Sequence, residues 1–183
     1  MMLRAALGWL IAPAFVVACV GCSGASDDDG PDPDPETFLA FASDFSGYKS
    51  WEHFDITAAE GTPASTHLAG VRTIYINARP PAGATEFPVG TIIVKELSEN
   101  PDAEKQIFCM VKRGGDYNAN GATDWEWFEL TGDDDSAMTI LWRGVGPPAG
   151  EKYGGDPNGG CNGCHSGAKD NDFVQADGLA LTP

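Results

Sequence analysis

Apolar residues fall into short alternating runs separated by glycine, proline and asparagine: Val71–Asn77, Thr91–Leu97, Gln106–Arg113, Asp124–Leu130 and Met138–Arg143. Alternation at a period of two with turn residues between the runs predicts strands joined into an antiparallel sheet. A helical period is confined to two places. Phe38, Phe41 and Phe45 recur at helical spacing between Glu36 and about Trp51, and a second helical turn is predicted around Cys161–Lys169. The stretch from Gly144 to Gly160 is rich in glycine and proline and reads as irregular. There is no repeat at solenoid or propeller period, and no alternation of strand and helix of the Rossmann kind. The fold class is therefore α+β and β-rich, an antiparallel sheet with a few short helices, the last carrying residues 161–169.

Two terminal segments stand outside this pattern. Residues 1–22 have an export layout, with Arg4, an apolar run from Ala5 to Val20 interrupted by Gly8 and Pro13, and then small residues and cysteine. Val16-Val17-Ala18-Cys19 resembles a bacterial lipobox, which makes Cys19 the lipidation candidate, with Cys22 second and simple cleavage the alternative. Residues 23–36 interleave Asp27, Asp28, Asp29, Asp32, Asp34 and Glu36 with Pro31, Pro33 and Pro35. Like charges and prolines hold such a segment extended, so it reads as a tether. Residues 37–183 form the domain, periplasmic in expectation and tied to the membrane through a lipid anchor only.

Charge narrows the choice of partner. The chain has 11 Lys and Arg against 27 Asp and Glu, a net charge of −16, and the domain from Thr37 onward keeps 21 acidic against 10 basic residues. That sign disfavours nucleic acid and anionic membrane surfaces, and it suits a basic redox partner such as another cytochrome. Pairing of two copies into a homodimer is the other association open to such a domain. Of the five cysteines, Cys109 lies mid-strand and reads as a buried free thiol with no assigned role.

Cys161-Asn162-Gly163-Cys164-His165 is the pattern for covalent attachment of a c-type haem. Thiols three residues apart share one side of a helical turn, where each can add across a haem vinyl group, and the following histidine reaches the iron. A structural zinc would need a second ligand pair at finger spacing, and a thioredoxin-type redox pair would follow a strand in a βαβ unit. One haem and one histidine, His165, leave the sixth iron position undecided: Met110 or Met138 are candidates, with His53 and His67 behind them. Alternation also places Lys95 on one face with Ile93 and Leu97, and Arg72 on one face with Ile74 and Ile76. Buried cations need a partner, and a cation at a strand end can instead extend to water.

Tyr48-Lys49-Ser50-Trp51, the run Val71–Asn77, the run Gly90–Leu97, Asp124-Trp125-Glu126-Trp127 and Cys161–His165 followed by Ala168–Val174 together resemble the cytochrome P-460 family, over roughly residues 45–175. The resemblance implies an exported mono-haem protein with a mainly β fold, a C-terminal haem motif and a histidine-ligated iron open on its other side. In hydroxylamine-oxidising members a lysine is cross-linked to the haem ring, and Lys95 occupies that position in Gly-Thr-x-x-Val-Lys-Glu. Arg72 matches the arginine of Arg-Thr-x-Tyr-Ile. The related cytochromes c′-β share the fold, lack the cross-link and bind nitric oxide in an apolar pocket. Where the oxidases carry a pocket carboxylate, spacing places Phe108 in this chain. Three readings follow: a hydroxylamine oxidoreductase using Lys95 and Arg72, a protein that binds nitric oxide without turnover, and a plain electron carrier with a methionine sixth ligand.

Asp116-Tyr117-Asn118-Ala119-Asn120-Gly121 begins like a calcium loop, but position twelve is Trp127, so only Asp124 or Glu126 could close it. A turn joining two strands accounts for the same residues.

Overall fold

The computed structural model describes residues 36–56, 71–98, 105–133, 137–149 and 160–183. The export segment with the lipidation candidates Cys19 and Cys22, all but the last residue of the tether, and the candidate His67 lie outside the described residues. The described residues form a six-stranded sheet whose spatial order is the chain order, with β1 Glu52–Ile56, β2 Val71–Ile76, β3 Ile92–Ser98, β4 Gln106–Lys112, β5 Trp125–Thr131 and β6 Thr139–Gly144. Every neighbouring pair is antiparallel. Five of these strands match the alternating runs to within a residue or two. β1 is the addition, a polar sequence in which Phe54 and Ile56 alone keep the apolar alternation, and polar composition is a common way to blunt a sheet edge.

The alternation sorts the sheet into two apolar faces. On one, Tyr75, Ile92, Val94, Ile107, Cys109, Val111, Phe128 and Leu130 pack against the chain segment holding Ala40, Phe45 and Tyr48. On the other, Ile74, Ile76, Ile93, Met110, Trp125, Trp127 and Trp142 pack against Phe173, Val174, Leu179 and Cys161 from the C-terminal segment. We call these the first and second faces. Cys109 is buried on the first, where burial pushes its thiol well above the ordinary range, an inert core thiol as its position implies.

The helix expected between Glu36 and Trp51 is replaced by two 3-10 turns, Ala42–Phe45 and Tyr48–Ser50. Three constraints override the spacing of the phenylalanines. Thr37 bridges to Gly114 and the Phe38 amide donates to the Arg113 carbonyl at 2.8 Å, so the segment begins as extended chain along the sheet. Phe41 then faces solvent, 64% exposed, while Phe45 is fully buried. Finally Gly47 takes a left-handed conformation (φ 75°) that separates the two turns. At the other end the expected turn is present: α1 spans Gly160–His165 and continues as a 3-10 segment over Ser166–Asn171.

Candidate functional site

Six residues of helix cannot hold themselves in water, so α1 depends on what it touches. The main anchor is Asn162, one of the two unspecified positions between the cysteines. Its Oδ1 accepts from Asn118 Nδ2 at 2.8 Å, Trp127 Nε1 at 2.9 Å and the Ala122 amide at 3.2 Å. Its Nδ2 donates to Asn118 Oδ1 at 3.0 Å and to the Val145 carbonyl at 2.9 Å. All of its hydrogen-bonding capacity is used, and α1 is thereby fixed to β5 and to the loop before it. Gly121 leaves room for this contact, since a Cβ there would collide with the Asn162 amide.

The loop from Asp116 to Asp124 is thus a dock for α1. Asn118, which a calcium site would need as a ligand, is committed to Asn162 and also donates to the Trp125 carbonyl at 3.1 Å, while Asp124 Oδ1 accepts the Asp116 amide at 2.9 Å. Glu126 points to the first face, where Arg143 and Arg113 pair with it. Among the described residues no group of three or more His, Cys, Asp or Glu side chains converges on a metal position.

Cys161 and Cys164 are free thiols within one turn of α1, Cys161 half-buried against the second face and Cys164 exposed. Burial, partly offset by the Lys95 charge, pushes the Cys161 thiol up to about 12. The His165 ring packs on Trp127 with centroids 4.6 Å apart, and its Nδ1 lies 2.6 Å from the Phe173 carbonyl. A carbonyl only accepts, so Nδ1 carries the proton and Nε2 is left with its lone pair. Burial pulls the imidazole down to about 4, which keeps it neutral at ordinary pH.

That carbonyl is held by an uncommon turn. Asp172 (φ 49°) and Phe173 (φ 65°) are successive left-handed residues with side chains, each conformation costing about 1–2 kcal/mol. The Asp172 carboxylate accepts from Lys112 Nζ at 2.8 and 2.9 Å, the Phe87 amide at 2.9 Å and Trp125 Nε1 at 3.3 Å.

The two cations singled out by alternation both face this side. In β2, Arg72 is 9% exposed and its Nε is buried with no hydrogen-bond partner among the described residues. In β3, Lys95 makes no hydrogen bond or ion pair that is seen among the described residues, and its ammonium is pushed down to about 8, first by burial and then by the Arg72 charge. Lys95 acts in turn on Cys161 and His165, so β2, β3 and α1 bring Arg72, Lys95, Cys161, Cys164 and His165 into one electrostatic neighbourhood.

Register places Phe108 and adds Glu129, which the sequence alone did not single out. Ile74, Lys95, Phe108, Glu129 and Trp142 form one cross-strand row, so Phe108 flanks Lys95 directly and Glu129 stands beyond it. Trp142 Nε1 donates to Glu129 Oε2 at 2.7 Å. Of the candidates for the sixth iron position, Met138 and His53 separate from the site. Met138 belongs to the cluster on the first face. His53 lies against the Tyr75 ring on that same face, its Nδ1 3.1 Å from the Trp51 carbonyl. Met110 shares the second face but is 5% exposed within the tryptophan cluster.

A family model described as Cytochrome P460 matches residues 45–176, most of the chain. No curated protein and no solved structure matches it.

Proposed function

Because the chain belongs to the cytochrome P460 family and is therefore a haem c cytochrome, we propose that it holds one haem covalently through Cys161 and Cys164, ligates the iron with His165, and oxidises hydroxylamine. The donor set suits the group. Two thiols share one turn, a neutral imidazole offers Nε2, and a buried guanidinium Nε on the same face has no partner among the described residues. The unpartnered Arg72 Nε beside Lys95 carries the reading, because a buried polar atom without a partner is costly unless a ligand satisfies it. Haem c, when bound, supplies an iron that takes a small nitrogen ligand and accepts its electrons.

The protein groups then divide the remaining work. Arg72 donates a hydrogen bond to the N–O group of the substrate and stabilises negative charge there. Lys95 is the residue that would carry the bond to the haem ring that the resemblance implies, and burial with the Arg72 charge pushes its ammonium down to about 8. Phe108 and the second-face tryptophans exclude water around it. Glu129, the carboxylate on the Lys95 row, takes up protons released by the substrate. The electrons leave to a basic partner cytochrome. Export, lipidation at Cys19 and a periplasmic working place belong to this same proposal, since bacterial c-type haem is attached outside the cytoplasm; incorporation of a labelled fatty acid that Cys19→Ser abolishes is the outcome that supports the anchor.

The ferrous absorption spectrum tests the reading. A lysine bonded to the ring interrupts conjugation, so shifted and broadened bands, with hydroxylamine-driven reduction of an acceptor cytochrome, are expected, and both should revert in Lys95→Met. An ordinary c-type spectrum with no such reduction overturns it. Capture of nitric oxide without turnover is the second reading, favoured by the apolar Phe108 standing next to Lys95.

A further inference from the structure

We propose that Asp172, clamped by Lys112, is a positioning residue for His165: the buried ion pair holds the Phe173 carbonyl on Nδ1 and so sets how strongly the histidine donates to iron. The inference rests on the reading of His165 as the iron ligand. It begins from a conformation that needs an explanation. Phe173 is a bulky side chain at φ 65°, directly after Asp172 at φ 49°, and bulky residues persist in this region only where their surroundings over-determine them. The backbone itself contributes three bonds, from the amides of Asp172, Phe173 and Val174 to the carbonyls of Lys169, Ala168 and Asn171. Asn171 Nδ2 also donates to the Val174 carbonyl at 2.7 Å and the Phe173 side chain is buried on the second face, but the bonds that tie the turn to the sheet converge on one carboxylate. Lys112 Nζ bonds both oxygens at 2.8 and 2.9 Å, with the Phe87 amide and Trp125 Nε1 completing the set.

Lys112 and Asp172 are almost fully enclosed, at 4% and 9% side-chain exposure. Lys112 reaches Asp124 and Glu86 only at 3.8 and 4.0 Å, so Asp172 is its principal partner. Lys112 sits in β4, sixty residues away in sequence, and therefore ties the loop that follows α1 to the rigid sheet. The loop's carbonyl then meets His165 Nδ1 at 2.6 Å. A fixed acceptor on the distal ring nitrogen orients a ligating imidazole and raises its basicity toward the metal.

The test is the iron–histidine stretching band in the resonance Raman spectrum of the ferrous holoprotein, read beside the reduction potential. Asp172→Asn should move the stretch to lower frequency and the potential upward, as the carbonyl loosens and the imidazole donates less. Losing one negative charge near the haem would also raise the potential, so Lys112→Met/Asp172→Asn is compared, in which the net charge is restored. A stretch still lowered in the double variant supports positioning, and a return to the wild-type band overturns it. Trp125→Phe, which removes only one bond to Asp172, should produce a smaller shift in the same direction and serves if the charge variants do not load haem; an unmoved band in Trp125→Phe overturns the inference in that case. His165→Gly separates the two failures. If the band survives that change, the ligand reading falls and this inference with it, whereas a band that belongs to His165 but ignores Asp172 overturns the inference alone.

Discussion

Replacing Asn162 by alanine should loosen the haem-motif helix without touching either cysteine or the histidine. The side chain accepts three hydrogen bonds and donates two. Val145 is 53% exposed, so its carbonyl can turn to water and count for little, and Asn118 is only half-buried. Trp127 and Ala122 cannot compensate in this way, being 3% and 0% exposed. Each would keep a buried N–H without an acceptor, at about 1–3 kcal/mol apiece, so about 4 kcal/mol is expected for the two together. For a chain of this size 1 kcal/mol corresponds to about 2–4 °C, which places the melting point of Asn162→Ala about 8–16 °C below wild type. The assay is thermal melting of the haem-loaded protein by circular dichroism, run with Trp127→Phe and the double variant. Because Asn162 and Trp127 share a bond, the double loss should fall short of the sum by about 1 kcal/mol. Melting within about 2 °C of wild type, or strictly additive losses, would refute the account of α1 as a helix held by this one side chain.

Three further outcomes follow from the same geometry. Arg72→Leu removes a charged donor worth about 1.5–3 kcal/mol, so affinity for hydroxylamine or nitric oxide should weaken about ten- to a hundred-fold in a spectral titration, with unchanged affinity counting against a role at the bound N–O group. Tyr75 is pushed up to about 12, first by burial and then by the Glu96 charge. The phenolate absorbance lost in Tyr75→Phe should therefore appear near pH 12, and at lower pH in Glu96→Gln. Since the folded chain keeps that proton while the unfolded chain releases it at about 10, this group lowers stability as pH rises from about 10 to about 12. Calorimetric titration of chelator-treated protein with calcium should give no heat, because Asn118 is already committed to Asn162; saturable heat at one site would contradict that assignment.

What the sequence could show depended on whether the chemistry was local. The haem motif is five contiguous residues, and Lys95 and Arg72 betray themselves by interrupting apolar alternation within a single strand. Asn162, Asp172 and Glu129 carry no such mark. Asn162 meets Asn118 across 44 positions, Asp172 meets Lys112 across 60, and Glu129 joins the Lys95 row only through the register of three strands. The misread helix at 36–51 fails for the same reason, since Gly47 and a bridge to distant Gly114 decide the path of that segment. Period-two alternation nonetheless yields more than a fold class. It sends buried charges of opposite sign to opposite faces, and the protein treats them differently. On the first face Glu96 is met by Tyr48 at 2.5 Å, Tyr75 at 3.2 Å and Lys105 at 3.4 Å, and Glu126 by Arg143 and Arg113. On the second, Lys112 is answered by Asp172, while Arg72 Nε has no partner among the described residues and Lys95 has its ammonium pushed down by burial. Charges satisfied from within serve the fold. Cations desolvated beside a pair of thiols and a neutral histidine, with no carboxylate bonded to either among the described residues, mark where the fold has left stabilisation to be supplied by what it binds.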